Sequence, residues 1–332
     1  MSWLYITEEG AHLSRKGGHY IISREHEKIC EVPAALVEGA VLIDSVQISS
    51  TVIVDFLRRG IPLTWLSSRG QFFGRLESTS HQDIFKQQMQ FELRGDLPFC
   101  MNLSKMIIFD KIYNQITILR RYNRIRRLPS VESAVRNIRA SADRLHQAET
   151  PEEIMGYEGI AAKFYFYALG EMLPEEFQFK KRSRQPPKDP FNSMLSFGYT
   201  LMMYDFYTAI RNLGLHPYVG FLHALKNGHP ALASDLMEPW RPALIDSICM
   251  AMVLKGEIKK EHFEAADDGQ GVYLNRIGRR LLIQKYEKKM SSVNRYFQGS
   301  YSWRHTIMMQ CESFRQAMAE KKVELFKPLV IR

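Results

Sequence analysis

The sequence predicts an α+β protein with segregated elements, a small N-terminal β-sheet domain followed by a larger all-helical domain. Two observations carry this reading. In the first eighty residues, apolar and β-branched runs of strand length alternate with turn chemistry; from about His81, apolar residues recur at spacings of three and four almost to the end of the chain. No repeat at a fixed period is visible, which argues against a solenoid. The expected layout is a β-rich domain over 1–80, a connection over 81–100 and a helical domain over 101–332.

The strand-length runs fall at 3–6, 19–23, 28–32, 40–43, 61–66 and 71–76. They are separated by Glu9-Gly10, Lys16-Gly17-Gly18 and Ser68-Arg69-Gly70. One helix interrupts them. Ser49-Ser50 can cap a segment from Thr51 in which Val52, Asp55, Phe56 and Arg59 keep helical spacing, and Gly60 ends it with Pro62 beyond. In the second part, Ile107, Ile108, Ile112, Ile116 and Leu119 form one helical stripe. Pro129-Ser130 breaks it before Val131, Val135 and Ile138 resume. Thr150-Pro151-Glu152-Glu153 is a strong helix start, with Thr150 as N-cap, Pro151 first in the helix and Glu153 as the capping-box acid. The stretch from Lys180 to Pro190 has five basic residues, three prolines and no apolar side chain, so it reads as an exposed arm. Helices are expected again over 192–213, 230–254, 274–290 and 303–323.

The 332 residues are 45% hydrophobic, enough for two packed cores at about 150 residues per domain. No apolar run approaches the roughly 20 residues that cross a bilayer, and the N-terminus lacks a signal pattern. A cytoplasmic protein is expected. Cys30, Cys100, Cys249 and Cys311 are scattered, which argues against a zinc ribbon or disulfide framework and predicts reduced core thiols.

Lys and Arg number 45 against 36 Asp and Glu, a net charge of +9. Over 101–149, ten basic residues stand against four acids, so +6 of that excess lies in one stretch. Eight of the ten are Arg, whose planar fork binds phosphate bidentately, and Tyr122 is interleaved among Arg120, Arg121 and Arg124. Nucleic acid is the leading partner class; a solvated helix face is the alternative.

Acids that run against this excess mark a second feature. Glu158 lies on the apolar stripe of Ile154, Ala161, Ala162, Tyr165 and Leu169, where a carboxylate needs a partner: an arginine, a metal ion or a proton in transit. Gly156 and Gly159 bracket it and leave room for a ligand or a backbone. His223 sits among apolar residues, and Asp235 and Glu238, three apart, share a helix face; Arg241, three beyond Glu238, can neutralise it. Three acids and one imidazole with no thiolate suit manganese or magnesium better than zinc or copper.

At these residues the sequence resembles the CRISPR-associated integrase and endonuclease of spacer acquisition, the first-numbered Cas protein family. The resemblance rests on Gly156-Tyr157-Glu158-Gly159, on 184–192 running into Leu195-Ser196-Phe197-Gly198-Tyr199, on Gly220-Phe221-Leu222-His223, and on the block from Asp235 to Pro242. It spans nearly the whole chain, whose end at Arg332 is similar to the stand-alone form. The resemblance implies a metal-dependent transesterification in which the 3′-hydroxyl of a captured DNA fragment attacks a phosphodiester at the repeat array. Glu158, His223 and Glu238 would hold the ion, with Asp235 as a further catalytic acid, and Arg184 and Arg241 would touch phosphate. It also implies double-stranded DNA as partner, a homodimer paired through the β-domain, and the small second-numbered Cas protein. A nuclease acting on branched or nicked DNA and a non-catalytic DNA-binding subunit are the alternatives.

Overall fold

A computed structural model describes residues 2–78, 83–266 and 269–331. Residues 79–82, where the sequence places the start of the interdomain connection, lie outside the described residues. Two units divide the chain: Met1–His81 with Arg276–Glu287, and Gln82–Asn275 with Lys288–Arg332.

The first unit contains β1 (Ser2–Ile6), β2 (His12–Lys16), β3 (His19–Arg24), β4 (Glu27–Pro33), β5 (Val37–Ile43), β6 (Gln47–Ile48), α1 (Ser50–Arg59), β7 (Leu63–Leu66) and β8 (Phe72–Leu76). These strands form two four-stranded sheets, in the orders β1-β5-β7-β8 and β4-β3-β2-β6. The pairs β1–β5 and β5–β7 are parallel. Parallel strands have both faces covered, which is why all but one residue of β5 is buried. Leu13, Tyr20, Leu42, Val52, Phe56 and Leu63 belong to the core. Ser49 takes the N-cap position of α1 without a side-chain capping bond, and Gly60 ends the helix with a left-handed φ of 65°.

The second unit is built from α2 (Ile84–Arg94), α3 (Leu97–Arg126), α4 (Pro129–Leu145), α5 (Pro151–Glu171), α6 (Pro190–Asn212), α7 (Ala231–Met237) and α8 (Ser247–Leu254). To these it adds β9 (Phe263–Ala265), β10 (Val272–Leu274), the end of α9 (Arg276–Ser291), β11 (Val293–Tyr296), β12 (Gly299–Ser302) and α10 (Trp303–Glu320). The pairs β9–β10 and β11–β12 are short antiparallel ribbons attached to the helices. The helix expected over 230–254 is three pieces, because a π-helical segment, Arg241–Asp246, lies between α7 and α8. Pro239 and Pro242 each lack an N–H, which removes α-helical bonds where the winding loosens.

Local signals explain the helix ends. Leu128 N–H donates to Asn123 Oδ1 at 2.8 Å across the break between α3 and α4, with Arg127 left-handed at φ 49°. Thr150 Oγ1 accepts from Glu153 N–H at 3.2 Å, and Glu153 Oε2 accepts from the N–H of Glu149, one residue before the cap. Helix α9 divides between the units. Its first turns pack with the strands, where Glu287 accepts from Tyr5 Oη at 2.9 Å and Arg276 pairs with Glu8. Cys100, Cys249 and Cys311 are buried as expected; Cys30 corrects the reading, being exposed on β4.

At the far end of α5, Gly170 packs against the backbone carbonyl of Phe179, and a Cβ there would drive into that oxygen. The chain beyond α5 thus returns against the helix that carries Glu158. Gly170→Ala is expected to cost about 1–3 kcal/mol, because backbone must move to admit the methyl group. A urea midpoint equal to that of the wild type would show that the close approach is not needed.

Candidate active site

Mid-helix positions of α3 and α5 and the end of α7 bring the candidate acids together. Glu158 stands on α5 with its side chain 18% exposed, between the buried Ile154 and Ala161. Glu238 follows α7 and is 6% exposed. Between them lies the ammonium of Lys111 on α3, which donates a very short hydrogen bond to Glu158 Oε1 and sits 2.6 Å from Glu238 Oε2. Arg241 Nε lies 3.0 Å from Glu238 Oε1. The arginine pairing that the sequence left open is therefore present at Glu238, and a lysine does the same for Glu158.

Asp235 shares its helix with Glu238 but turns to a different task. Its carboxylate is fully buried and accepts from three consecutive backbone N–H groups, Phe221 at 2.6 Å, Leu222 at 3.0 Å and His223 at 3.0 Å. It also takes His223 Nδ1 at 2.6 Å. This fit explains Gly220, where a Cβ would stand 2.6 Å from Asp235 Oδ2 and 2.8 Å from Ala231. With Nδ1 committed, Nε2 of His223 is the free ring nitrogen, and it faces Glu238 Oε1 at 3.9 Å.

Burial works against every charge here, and the partners decide the outcome. For Glu238, burial pushes the pKa up, but Arg241, Lys111 and His223 together hold the carboxyl down at about 2. Burial lowers the Lys111 ammonium, and Glu238 with Glu158 outweighs it, leaving a raised pKa. Likewise burial disfavours imidazolium at His223, while the hydrogen bond and charge of Asp235 raise it overall.

Among the described residues, no group of three His, Cys, Asp or Glu side chains forms a ready cage for an ion. The donor chemistry nevertheless fits a hard divalent cation. Two carboxylates converge on one positive centre, and beside them is an imidazole whose far nitrogen is held by a carboxylate, the arrangement that orients histidine ligands. What closes the centre is Lys111. Gly156 and Gly159 are exposed and, among the described residues, meet no atom within 4 Å of an added Cβ, so the surface beside Glu158 is open there.

A second layer surrounds Arg241. Its guanidinium lies 4.6 Å from the centroid of the Tyr199 ring, and that of Arg182 lies 5.5 Å from the same ring. Tyr199 Oη donates to Asp246 at 2.5 Å and Tyr165 Oη to its other oxygen at 2.8 Å. Arg182 also reaches Asn192 Oδ1 at 2.7 Å and Ser196 Oγ at 2.9 Å, so this part of the arm is tucked in. Arg184, two residues on, is exposed.

Arg120, Arg121 and Arg124 are exposed on α3, about 14–20 Å along the helix axis from Lys111. Two of their neighbours correct the picture of a uniform nucleic-acid face. Tyr122 is half-buried and donates to the carbonyl of Ser247 at 2.9 Å, so it is no stacking platform, and Arg126 caps the end of α5 through Met172 O at 3.0 Å. Sequence reasoning missed Lys111, counted with the basic run although it stands four residues after Ile107 on the buried stripe. It quoted Tyr199 only as part of a family block and gave it no role, and it missed Asp246, Arg182 and His229, whose ring centroid is 5.9 Å from that of His223.

Fold and site together define an α+β protein whose helical unit carries a carboxylate and imidazole centre with its own counter-cations. A family model described as CRISPR associated protein Cas1 matches residues 4–288, and the chain belongs to this family. A relative from Mycobacterium tuberculosis named CRISPR-associated endonuclease Cas1 is 30% identical over 316 residues, covering 94% of this chain and 93% of that one. Among solved structures, a chain of a Cas6-RT-Cas1–Cas2 complex superposes with a TM-score of 0.85 at 22% identity, covering 99% of this chain and 36% of its own. A casposase bound to integration product superposes with a TM-score of 0.85 at 21% identity, covering 97% and 92%.

Asp246 supplies a pH test of the second layer. Burial raises its carboxyl from 3.8 to about 6, more than Tyr199 and Tyr165 lower it. The folded state therefore holds this proton more tightly than the unfolded chain does, so its contribution is complete below about pH 4 and is lost as pH rises through about 6. Relative to Asp246→Asn, the wild type should lose about 3 kcal/mol across that window. Urea midpoints of both proteins at pH 4, 5, 6 and 7 measure this; a gap that stays constant with pH would refute it.

Proposed function

We propose that the chain is a metal-dependent DNA integrase of CRISPR arrays, joining a captured double-stranded DNA fragment by attack of its 3′-hydroxyl on a phosphodiester. The observation that carries this is the convergence of Glu158 and Glu238 on one positive centre beside an imidazole oriented by Asp235, in a chain of the Cas1 family. Glu158, Glu238 and His223 Nε2 would hold manganese or magnesium, which would polarise a phosphoryl oxygen and stabilise the leaving oxygen. Because one phosphodiester replaces another, no nucleotide energy source is required.

The chain's own groups supply the rest. Asp235 keeps His223 in the tautomer that presents Nε2. Arg241, pinned between Glu238 and the Tyr199 ring, is held rigidly enough to orient a phosphate oxygen near the acids. Arg184 extends the positive surface from the arm, and Arg120, Arg121 and Arg124 extend it along α3, where they would track the DNA backbone without reading its sequence. A homodimer paired through the β-domain and a Cas2 partner belong to this reading; the complex named above unites Cas1 with Cas2. A nuclease using water in place of the DNA hydroxyl is the second reading, favoured by the endonuclease name of the Mycobacterium tuberculosis relative.

Glu158→Ala and His223→Ala should each lower manganese-dependent strand transfer at least about a hundred-fold while DNA affinity stays within a few-fold, since the arginine surface is untouched. Wild-type joining by both variants would remove these residues from the centre. A labelled fragment incubated with a supercoiled plasmid bearing repeats separates the readings: a covalently joined product supports integration, and shortened fragments alone support the nuclease.

DNA affinity should fall steeply with salt, by a log–log slope of about −0.9 for each phosphate neutralised. Replacing Arg120, Arg121 and Arg124 together by Ala should flatten that slope by about two to three. An unchanged slope would take the DNA path off this part of α3.

A further inference from the structure

Lys111 occupies the point on which the buried Glu238 and the partly buried Glu158 converge. Its ammonium bonds Glu158 Oε1 and lies 2.6 Å from Glu238 Oε2, and its side chain is only 10% exposed. Two carboxylates brought together in a protein interior repel each other and lose hydration, so the arrangement requires a cation between them. Arg241 does not fill that place, because it approaches the other oxygen of Glu238, Oε1, at 3.0 Å. The residue at the centre is a lysine, a compact point charge on a flexible four-carbon stem, which can withdraw without moving the backbone of α3.

We propose that Lys111 is the resident counter-ion of the acid centre: its ammonium holds Glu158 and Glu238 together in the ion-free protein and is displaced when a divalent cation takes the two carboxylates. The inference rests on the metal reading given above and adds a competition to it. An ion entering the centre must expel an ammonium from two carboxylates, so the affinity of the wild type is that of the carboxylates and imidazole reduced by the cost of that exchange. The same residue keeps the ion-free helices α3, α5 and α7 assembled.

Full-length wild type and Lys111→Met are compared by thermal unfolding in EDTA and in saturating MnCl2, and by Mn2+ titration with electron paramagnetic resonance. His223→Ala serves as the ligand control, and Lys111→Met combined with Glu158→Gln as the charge-matched variant. In EDTA, Lys111→Met should melt at least about 5 °C below wild type, through loss of the buried pair. The charge-matched variant should recover most of that loss. In Mn2+ the gap should close, and Lys111→Met should bind Mn2+ at least ten-fold more tightly, which corresponds to 1.4 kcal/mol.

If Lys111→Met is too unstable to purify without metal, reductive methylation of the wild type gives the same information. Lys111 should be protected in EDTA and modified in Mn2+; equal modification in both overturns the proposal. Equal Mn2+ affinities of wild type and Lys111→Met, with binding lost in His223→Ala, overturn the Lys111 proposal and leave the metal reading standing. No Mn2+ binding by either protein overturns the metal reading and the Lys111 proposal with it.

Discussion

The buried carboxylate of Asp235 is the contact on which the centre depends. Four donors meet its two oxygens, three consecutive backbone N–H groups and the ring of His223. A buried carboxylate is tolerable only when it is saturated in this way, and saturation fixes the turn at 221–223 against α7. Much else follows from that clamp. Gly220 must lack a side chain because Asp235 lies against it, the imidazole has one orientation, and Glu238, three residues later on the same strand of chain, is carried to the far side of the ring. One short segment thereby sets both an imidazole nitrogen and a carboxylate, leaving α3 and α5 to supply Lys111 and Glu158.

Much of this was legible in the sequence, and the reasons differ by residue. Glu158 could be found because an acid on an apolar stripe contradicts its surroundings, and the stripe of α5 is long enough to define a face. The same contradiction is present at Lys111, among Ile107, Ile108 and Ile112, but there it was hidden by a run of surface arginines that made another lysine unremarkable. Tyr122 shows the converse. It was read with its charged neighbours, whereas its position three residues after the buried Leu119 turns it inward to Ser247. Charge counted along a chain ignores the face, and the face decides whether a cation meets solvent or an acid.

What could not be read was association across long separations. The parallel pairing of β1 with β5 and of β5 with β7 depends on crossovers that leave no local mark in residues 1–76. The division of α9 is of the same kind, since its partners Tyr5 and Glu8 lie more than 260 positions away. By contrast the start of α5, the break between α3 and α4 and the end of α1 were legible, because Thr150, Pro129 and Gly60 act within a few residues of themselves.

The π-helical segment ties the two layers of the centre together. In an α-helix, residues five apart point about 140° away from each other, which would set Arg241 and Asp246 on diverging faces. Bonds from residue i to i+5 narrow that angle, and both meet Tyr199, Arg241 across its ring and Asp246 at its hydroxyl. Two prolines make that winding possible by withdrawing N–H donors at 239 and 242. The consequence is mechanical: the guanidinium beside Glu238 also meets a ring that is itself anchored to a buried carboxyl, while among the described residues the Lys111 ammonium pairs with the two acids. The two cations of the centre therefore differ in their anchoring: Arg241 has the Tyr199 ring as a second contact besides Glu238, whereas the contacts of the Lys111 ammonium among the described residues are Glu158 and Glu238.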